Sequence, residues 1–313
     1  MNNILYLVMD MKSFVSECFA SIASLQRVTC DEVIHPQITI YTNLKEDFDA
    51  LDFSAVSLPI AFRQISEEQR MGWVGNRQYP YRSKICALID FLESGEEHAV
   101  LIDCDTFFMK NSNGLFDKLR DGNSVVMNYA EQGISDIDSI NGVKRDRFFL
   151  DLCRSRTIST KVKTFEFDDS LNFWNSGIIG VSANALDALY DSLLICDTIL
   201  EKYGLLSSEQ AALSCAFWKR HNITAGDTIL YHYWFMKEPR YLVEAALGMP
   251  SSLEYRHTNT PAVQYLKSRD EKIEFSTLPN LIRELLLSMR ERFVQSVYVT
   301  IGENTDLGRM LRK

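Results

Sequence analysis

The stretch AVLIDCDTFFMKN (residues 99–111) decides how the chain is read, because an apolar strand runs straight into two aspartates separated by one cysteine. On an extended chain side chains two apart point the same way, so Asp103 and Asp105 share a face. Close carboxylates repel unless a positive group sits between them, and a divalent cation is the natural candidate.

Working outward, short β-rich runs alternate with longer helical patterns. ILYLVM, QITIYT, AVSL (residues 55–58), AVLID, SVVMNY, GIIGVS and TILYHYW read as strands. SFVSECFASIASL, YRSKICALIDFLES, ANALDALYDSLLICDTILEKY and SSEQAALSCAFWKR carry apolar residues at helical spacing. The pattern predicts an α/β fold with a mainly parallel central sheet. Ligands of such sheets bind beyond the carboxyl ends of the strands, which is where Asp103 and Asp105 fall.

The 313 residues, 46% of them hydrophobic and 24% charged, have the composition of a globular protein able to bury a core. No apolar run reaches the length of a spanning helix. The start, MNNILYLVMDMKSFVSE, reads as a first strand rather than a secretory signal. Seven scattered cysteines without a CxxC pair predict buried free thiols, and with them a cytoplasmic location. A formal charge of −9 speaks against nucleic acid as a partner.

The main domain is expected over residues 1–275, with an irregular, locally basic excursion at about 130–169 that would serve an acceptor. Residues 276–313 are expected to form an amphipathic helix, with Leu281, Leu285, Met289 and Phe293 near one face, and a basic tail. That helix most simply covers the core, and peripheral membrane contact is a secondary expectation.

Three readings compete for the Asp-x-Asp triplet. It can cap a helix or turn. It is also found in haloacid-dehalogenase-type phosphatases, but Phe107 stands where that family places Thr or Val, and a hundred residues precede the motif. The third reading draws on four further segments in order: YPYRSKICALIDF with Arg82 and Lys84, FWNSGIIGVS with Asn175, Ser176 and Gly177, SSEQAALSCAF with Glu209 and Gln210, and TILYHYWFMKEPRYL with His232, Lys237 and Pro239. With this order the chain resembles glycosyltransferase family 8, retaining galactosyl- and glucosyltransferases of the GT-A fold, or a near relative.

The resemblance implies a hexosyltransferase that moves a sugar from a nucleotide-diphosphate donor, most simply a UDP-sugar, to a hydroxyl of a glycan or lipid-linked glycan. It implies Mn²⁺ or Mg²⁺ held by Asp103, Asp105 and His232. Donor contacts would come from Asp10, Arg82, Lys84, Asp103, Asn175 and Lys237, and Glu209 and Gln210 would stand at the reacting sugar; Tyr41 and Thr42, which end the second strand in the same mouth, and Cys104 between the aspartates are further donor candidates by position. If the reaction inverts configuration, Glu209, Asp168 or Asp169 would be the base. The chain departs from the family in lacking a glycine between His232 and Lys237 and in placing Glu238 before Pro239. Two alternatives stay open: a sugar nucleotidyltransferase, although MDMKSFVSE has no glycine-rich loop after the first strand, and a non-catalytic nucleotide-sugar-binding protein.

Overall fold

The structure is a computed structural model that describes residues 2–29, 35–51, 53, 56–133 and 147–233. By internal contacts the chain divides into Met1–His232 and Tyr233–Lys313, and the described residues belong to the first unit except for Tyr233. Lys237 and the proposed helix and tail after residue 275 lie outside the described residues, as does part of the excursion.

The described strands are β1 (Asn3–Val8), β2 (Gln37–Thr42), β3 (Ile60–Gln64), β4 (His98–Ile102), β5 (Thr106–Phe108), β6 (Ser124–Met127), β7 (Ala130–Gly133), β8 (Thr157–Ser159), β9 (Thr164–Glu166), β10 (Asn172–Trp174), β11 (Ile178–Ser182), β12 (Asn222–Ala225) and β13 (Leu230–His232). The described α-helices are α1 (Lys12–Thr29), α2 (Lys45–Asp49), α3 (Glu67–Val74), α4 (Arg82–Glu93), α5 (Asn113–Leu119), α6 (Arg147–Ser155), α7 (Leu186–Tyr203) and α8 (Ser208–Phe217). Seven strands form one sheet in the order β12-β6-β11-β4-β1-β2-β3. All its pairings are parallel except the two made by β11, which runs antiparallel between β4 and β6.

Strand alternation sorts the core into two layers. Ile4, Tyr6, Val8, Ile38, Ile40, Val100 and Ile102 face one side, where they meet Val15, Cys18, Ile22 and Leu25 of α1 and Leu115, Phe116 and Leu119 of α5. Leu5, Tyr41, Leu101, Met127 and Ile179 face the other side, against Ile85, Leu88 and Leu92 of α4 and the inner faces of α7 and α8. Each such fully buried aliphatic side chain is worth about 1.5–3 kcal/mol relative to exposure, and this fixes which face each strand presents. All described cysteines are free, and no described helix is long and apolar enough to cross a membrane.

One strand sits elsewhere than expected. AVSL contributes no described strand, and the third strand is Ile60–Gln64, paired with β2 from Ile38↔Ile60 to Thr42↔Gln64. Pro59, which lacks an N–H, stands just before it, and its carbonyl accepts from the Ile38 N–H at 2.9 Å. Proline suits the entry to an edge strand, which β3 is.

Candidate metal and donor site

The site grows from the end of β4. Ile102 pairs with Ile178 of β11, and the Asp103 N–H donates to the Gly177 carbonyl at 3.0 Å, so Asn175-Ser176-Gly177 lies against the aspartates. Beyond Asp105 the chain enters β5, which pairs antiparallel with β13 and sets His232 opposite Thr106. A buried thread of hydroxyls holds this turn. Tyr6 meets Ser21 at 2.8 Å, Ser21 meets Thr106 at 2.8 Å, and the Thr106 hydroxyl donates to the Asp103 carbonyl at 2.7 Å. Cys104, between the aspartates, turns inward to the core beside the Leu7 carbonyl, and its thiol is pushed well up by its contact with Cys18 and by burial.

Sheet geometry thus gathers residues far apart in sequence. His232 Nε2 lies 3.1 Å from Asp105 Oδ1 and 3.6 Å from Asp103 Oδ2. One ligand atom from each of Asp103, Asp105 and His232 lies within 4.8 Å of the others, the only such group of three or more among the described residues. Two carboxylates and an imidazole form a donor set suited to Mn²⁺, with Mg²⁺ tolerating it less well because it favours all-oxygen coordination.

Lys84 of α4 is buried, and its Nζ lies 2.7 and 2.8 Å from the two carboxylate oxygens of Asp103 and 3.4 Å from the Ser176 carbonyl. Burial alone would lower its pKa. The charges of Asp103, Glu209 and Asp105 outweigh that and hold the ammonium above its ordinary value. Three carboxylates, Asp103, Asp105 and Glu209, therefore face the one ammonium of Lys84, an excess of negative charge that a divalent cation would offset.

The remaining sequence-based candidates divide. Asn175 Oδ1 lies 3.1 Å from His232 Nδ1, inside the site. Glu209 is buried, accepting from the Ser176 hydroxyl at 2.9 Å and from the Tyr79 hydroxyl, whose pKa is raised by burial and by the Glu209 charge. Gln210 is half-buried, with Oε1 3.4 Å from the Ser176 N–H. Arg82 points away from the cluster. Residues two apart on a helix do not share a face, and Arg82 forms a bidentate pair with Asp197 of α7 at 2.7 and 3.1 Å while capping the Gly72 and Trp73 carbonyls.

At the ends of β1 and β2, Asp10 adopts a left-handed φ of 64°, is exposed, and exchanges hydrogen bonds with Asn43 at 3.1 and 2.9 Å. Arg70 of α3 reaches its carboxylate at 3.2 Å. Left-handed backbone at a non-glycine residue is a sparsely populated state that tends to mark functional loops. Tyr41 is tied to α4 away from the aspartates, donating to Asp90 at 2.6 Å and accepting from Arg63 at 2.8 Å, while Thr42 is buried with its hydroxyl accepting from the Leu44 N–H at 2.9 Å. Asp168 and Asp169 pair with Lys219 and Arg156, and Lys219 and Ser170 hold the Asp168 carboxyl down to about 2.

Two contributors were not singled out from the sequence, Tyr79 and Asn128. Asn128 directly follows β6 and donates through Nδ2 to Asn175 Oδ1 at 3.2 Å. A polar residue ending the apolar run SVVMN is the signal that would have found it.

No protein-family model and no curated protein matches the sequence. Among solved structures, the chain is similar to the galactosyltransferase LgtC in complex with donor and acceptor sugar analogues, at 11% identity over 71% of this chain and 73% of that one, with a TM-score of 0.48. It is similar to mouse xyloside xylosyltransferase 1, at 13% identity over 72% of this chain and 84% of that one, with a TM-score of 0.47. It is also similar to the bifunctional glycosyltransferase WbbM, at 12% identity over 86% of this chain and 51% of that one, with a TM-score of 0.45.

Proposed function

We propose that the chain is a metal-dependent glycosyltransferase that moves a hexose from a nucleotide-diphosphate sugar, most simply a UDP-sugar, to a hydroxyl of a glycan or lipid-linked glycan. The observation that carries this reading is the convergence of Asp103, Asp105 and His232 at the carboxyl end of β4, with Lys84 beneath them. In it the three side chains hold Mn²⁺ or Mg²⁺, which when bound offsets the charge developing on the leaving diphosphate.

Lys84 has a positioning part. Bound to both oxygens of Asp103, it holds that carboxylate in place. Asp10, exposed at the end of β1, accepts from the nucleoside. Gln210 is the member of the Glu209-Gln210 pair with surface to offer a sugar, and Glu209 acts through Ser176 and Tyr79. A general base works best with a pKa near the working pH, which disqualifies Asp168. Asp169 is paired with Arg156 and Glu209 is enclosed, so of these three candidates none is well placed as a base, and the acceptor proton passes most simply to the leaving diphosphate. This favours retention of configuration.

The test is titration calorimetry of UDP-hexoses with and without Mn²⁺. The native protein should bind in an Mn²⁺-dependent way, and Asp105→Asn and His232→Ala should each abolish that dependence. Tight Mn²⁺-dependent binding that survives both changes refutes the assignment.

A further inference from the structure

His232 can serve a cation through Nε2 only if its ring proton sits on Nδ1; the Asp105 carboxylate, 3.1 Å from Nε2, competes for a ring proton until a cation takes its place, and three contacts around Asn175 hold a proton on Nδ1. The Gly177 backbone N–H donates to Asn175 Oδ1 at 2.9 Å, and a backbone N–H has no other role, so the atom it meets is the amide oxygen and not the nitrogen. That oxygen lies 3.1 Å from His232 Nδ1. An amide oxygen only accepts, so the imidazole must donate from Nδ1. Asn128 Nδ2 lies 3.2 Å from the same oxygen and 3.4 Å from His232 Nδ1. Since Nδ1 carries a proton it cannot accept, and the Asn128 amide donates to Asn175. With the opposite amide orientation Asn128 would set its own oxygen against Asn175 Oδ1.

We infer that Asn128 and Asn175 form a positioning relay that locks His232 in the Nδ1–H tautomer and aims Nε2 at Asp103 and Asp105. Asn128 orients Asn175, and Asn175 holds the ring. Both asparagines are buried. Gly177 completes the seat, because a Cβ there would fall 2.1 Å from His232 Nδ1. This extends the metal reading above to two residues that do not touch the cation, and it gives Asn175 a part distinct from lining a donor-sugar pocket. Groups that hold the second nitrogen of a ligating histidine typically account for 10- to 100-fold in metal affinity.

The experiment uses the full chain labelled with ¹⁵N-histidine. Long-range ¹H–¹⁵N correlation is recorded on the metal-free protein at alkaline pH, and Mn²⁺ affinity is measured by calorimetry. The native His232 should show a protonated Nδ1. Asn175→Leu should lose that pattern and bind Mn²⁺ about 10- to 100-fold more weakly, Asn128→Leu should do so to a lesser degree, and Asn175→Asp, which keeps the acceptor, should restore the tautomer. A native ring with a bare Nδ1 overturns the relay and requires no variant to fold. So does an Asn175→Leu protein with unchanged tautomer and affinity. A native Nδ1–H ring in a protein that binds no Mn²⁺ supports the relay and instead refutes the metal reading on which the function rests.

Discussion

The contact between Gly177 and His232 makes a sharp demand on Gly177→Ala. Gly177 is not among the residues of positive φ, so the backbone accepts alanine and the cost is purely steric. The added methyl would lie 2.1 Å from Nδ1, 2.5 Å from Cε1 and 2.7 Å from Cγ of His232. The nearest of these is about 1.3 Å inside the 3.4 Å at which ordinary contact begins. The ring cannot yield by a small rotation, since Asn175 holds one edge and Asp105 the other. Inserting a methyl into such packing costs about 1–3 kcal/mol. At about 2–4 °C per kcal/mol for a unit of this size, the melting temperature should fall by roughly 2–12 °C. Displacing the ring should also weaken Mn²⁺ binding by about 10- to 100-fold. The decisive assay is a double-mutant cycle read by thermal melting in the absence of metal. In a His232→Ala background the space is open, and Gly177→Ala should then cost almost nothing. A full melting loss that persists in that background would show that the methyl strikes something other than His232, and unchanged Mn²⁺ affinity in the single variant would refute the seat altogether.

Lys84→Met should leave Asp103 without its ammonium, destabilising the metal-free protein by about 2–4 kcal/mol, somewhat below the cost of orphaning a fully buried charge because Asp103 keeps some exposure. Added Mn²⁺ should recover part of that loss, and equal losses with and without Mn²⁺ would separate Lys84 from the cation site. Asp168, held down by Lys219 and Ser170, has a folded-state pKa below its unfolded value, so its stabilisation is present above about 4 and fades as pH falls toward about 2. The melting difference between native protein and Asp168→Asn should accordingly be flat from pH 5 to 8 and shrink only in stronger acid; shrinkage near neutrality would contradict it. Changing Arg147 and Arg154 of α6 to Ser, sparing Arg156 because it pairs with Asp169, should weaken transfer to an acceptor while leaving donor hydrolysis intact. Equal loss of both activities would assign α6 to folding or donor binding.

The sequence by itself determined what depends on local periodicity and on composition. Alternation and helical spacing located β1, β2, β4, β6 and β11 and the helices α1, α4, α7 and α8, because a residue's burial in such elements follows from its neighbours in the chain. The strand-end position of Asp103 and Asp105 followed from the same pattern. Where a local signal was weak the reading slipped, as with AVSL, for which the edge strand Ile60–Gln64 was the true partner of β2. An edge strand buries less of its surface, so its alternation is less constrained. Only the tertiary structure decided which polar groups meet. It paired Lys84 with Asp103 but sent Arg82 to Asp197, tied Tyr41 to Asp90, enclosed Glu209 between Ser176 and Tyr79, and brought Asn128 to Asn175. Those pairings depend on strand order and register, on β11 running antiparallel beside β4 and on β13 pairing with β5, and hydrogen bonds between residues 19 to 130 positions apart leave no periodic trace in a single chain.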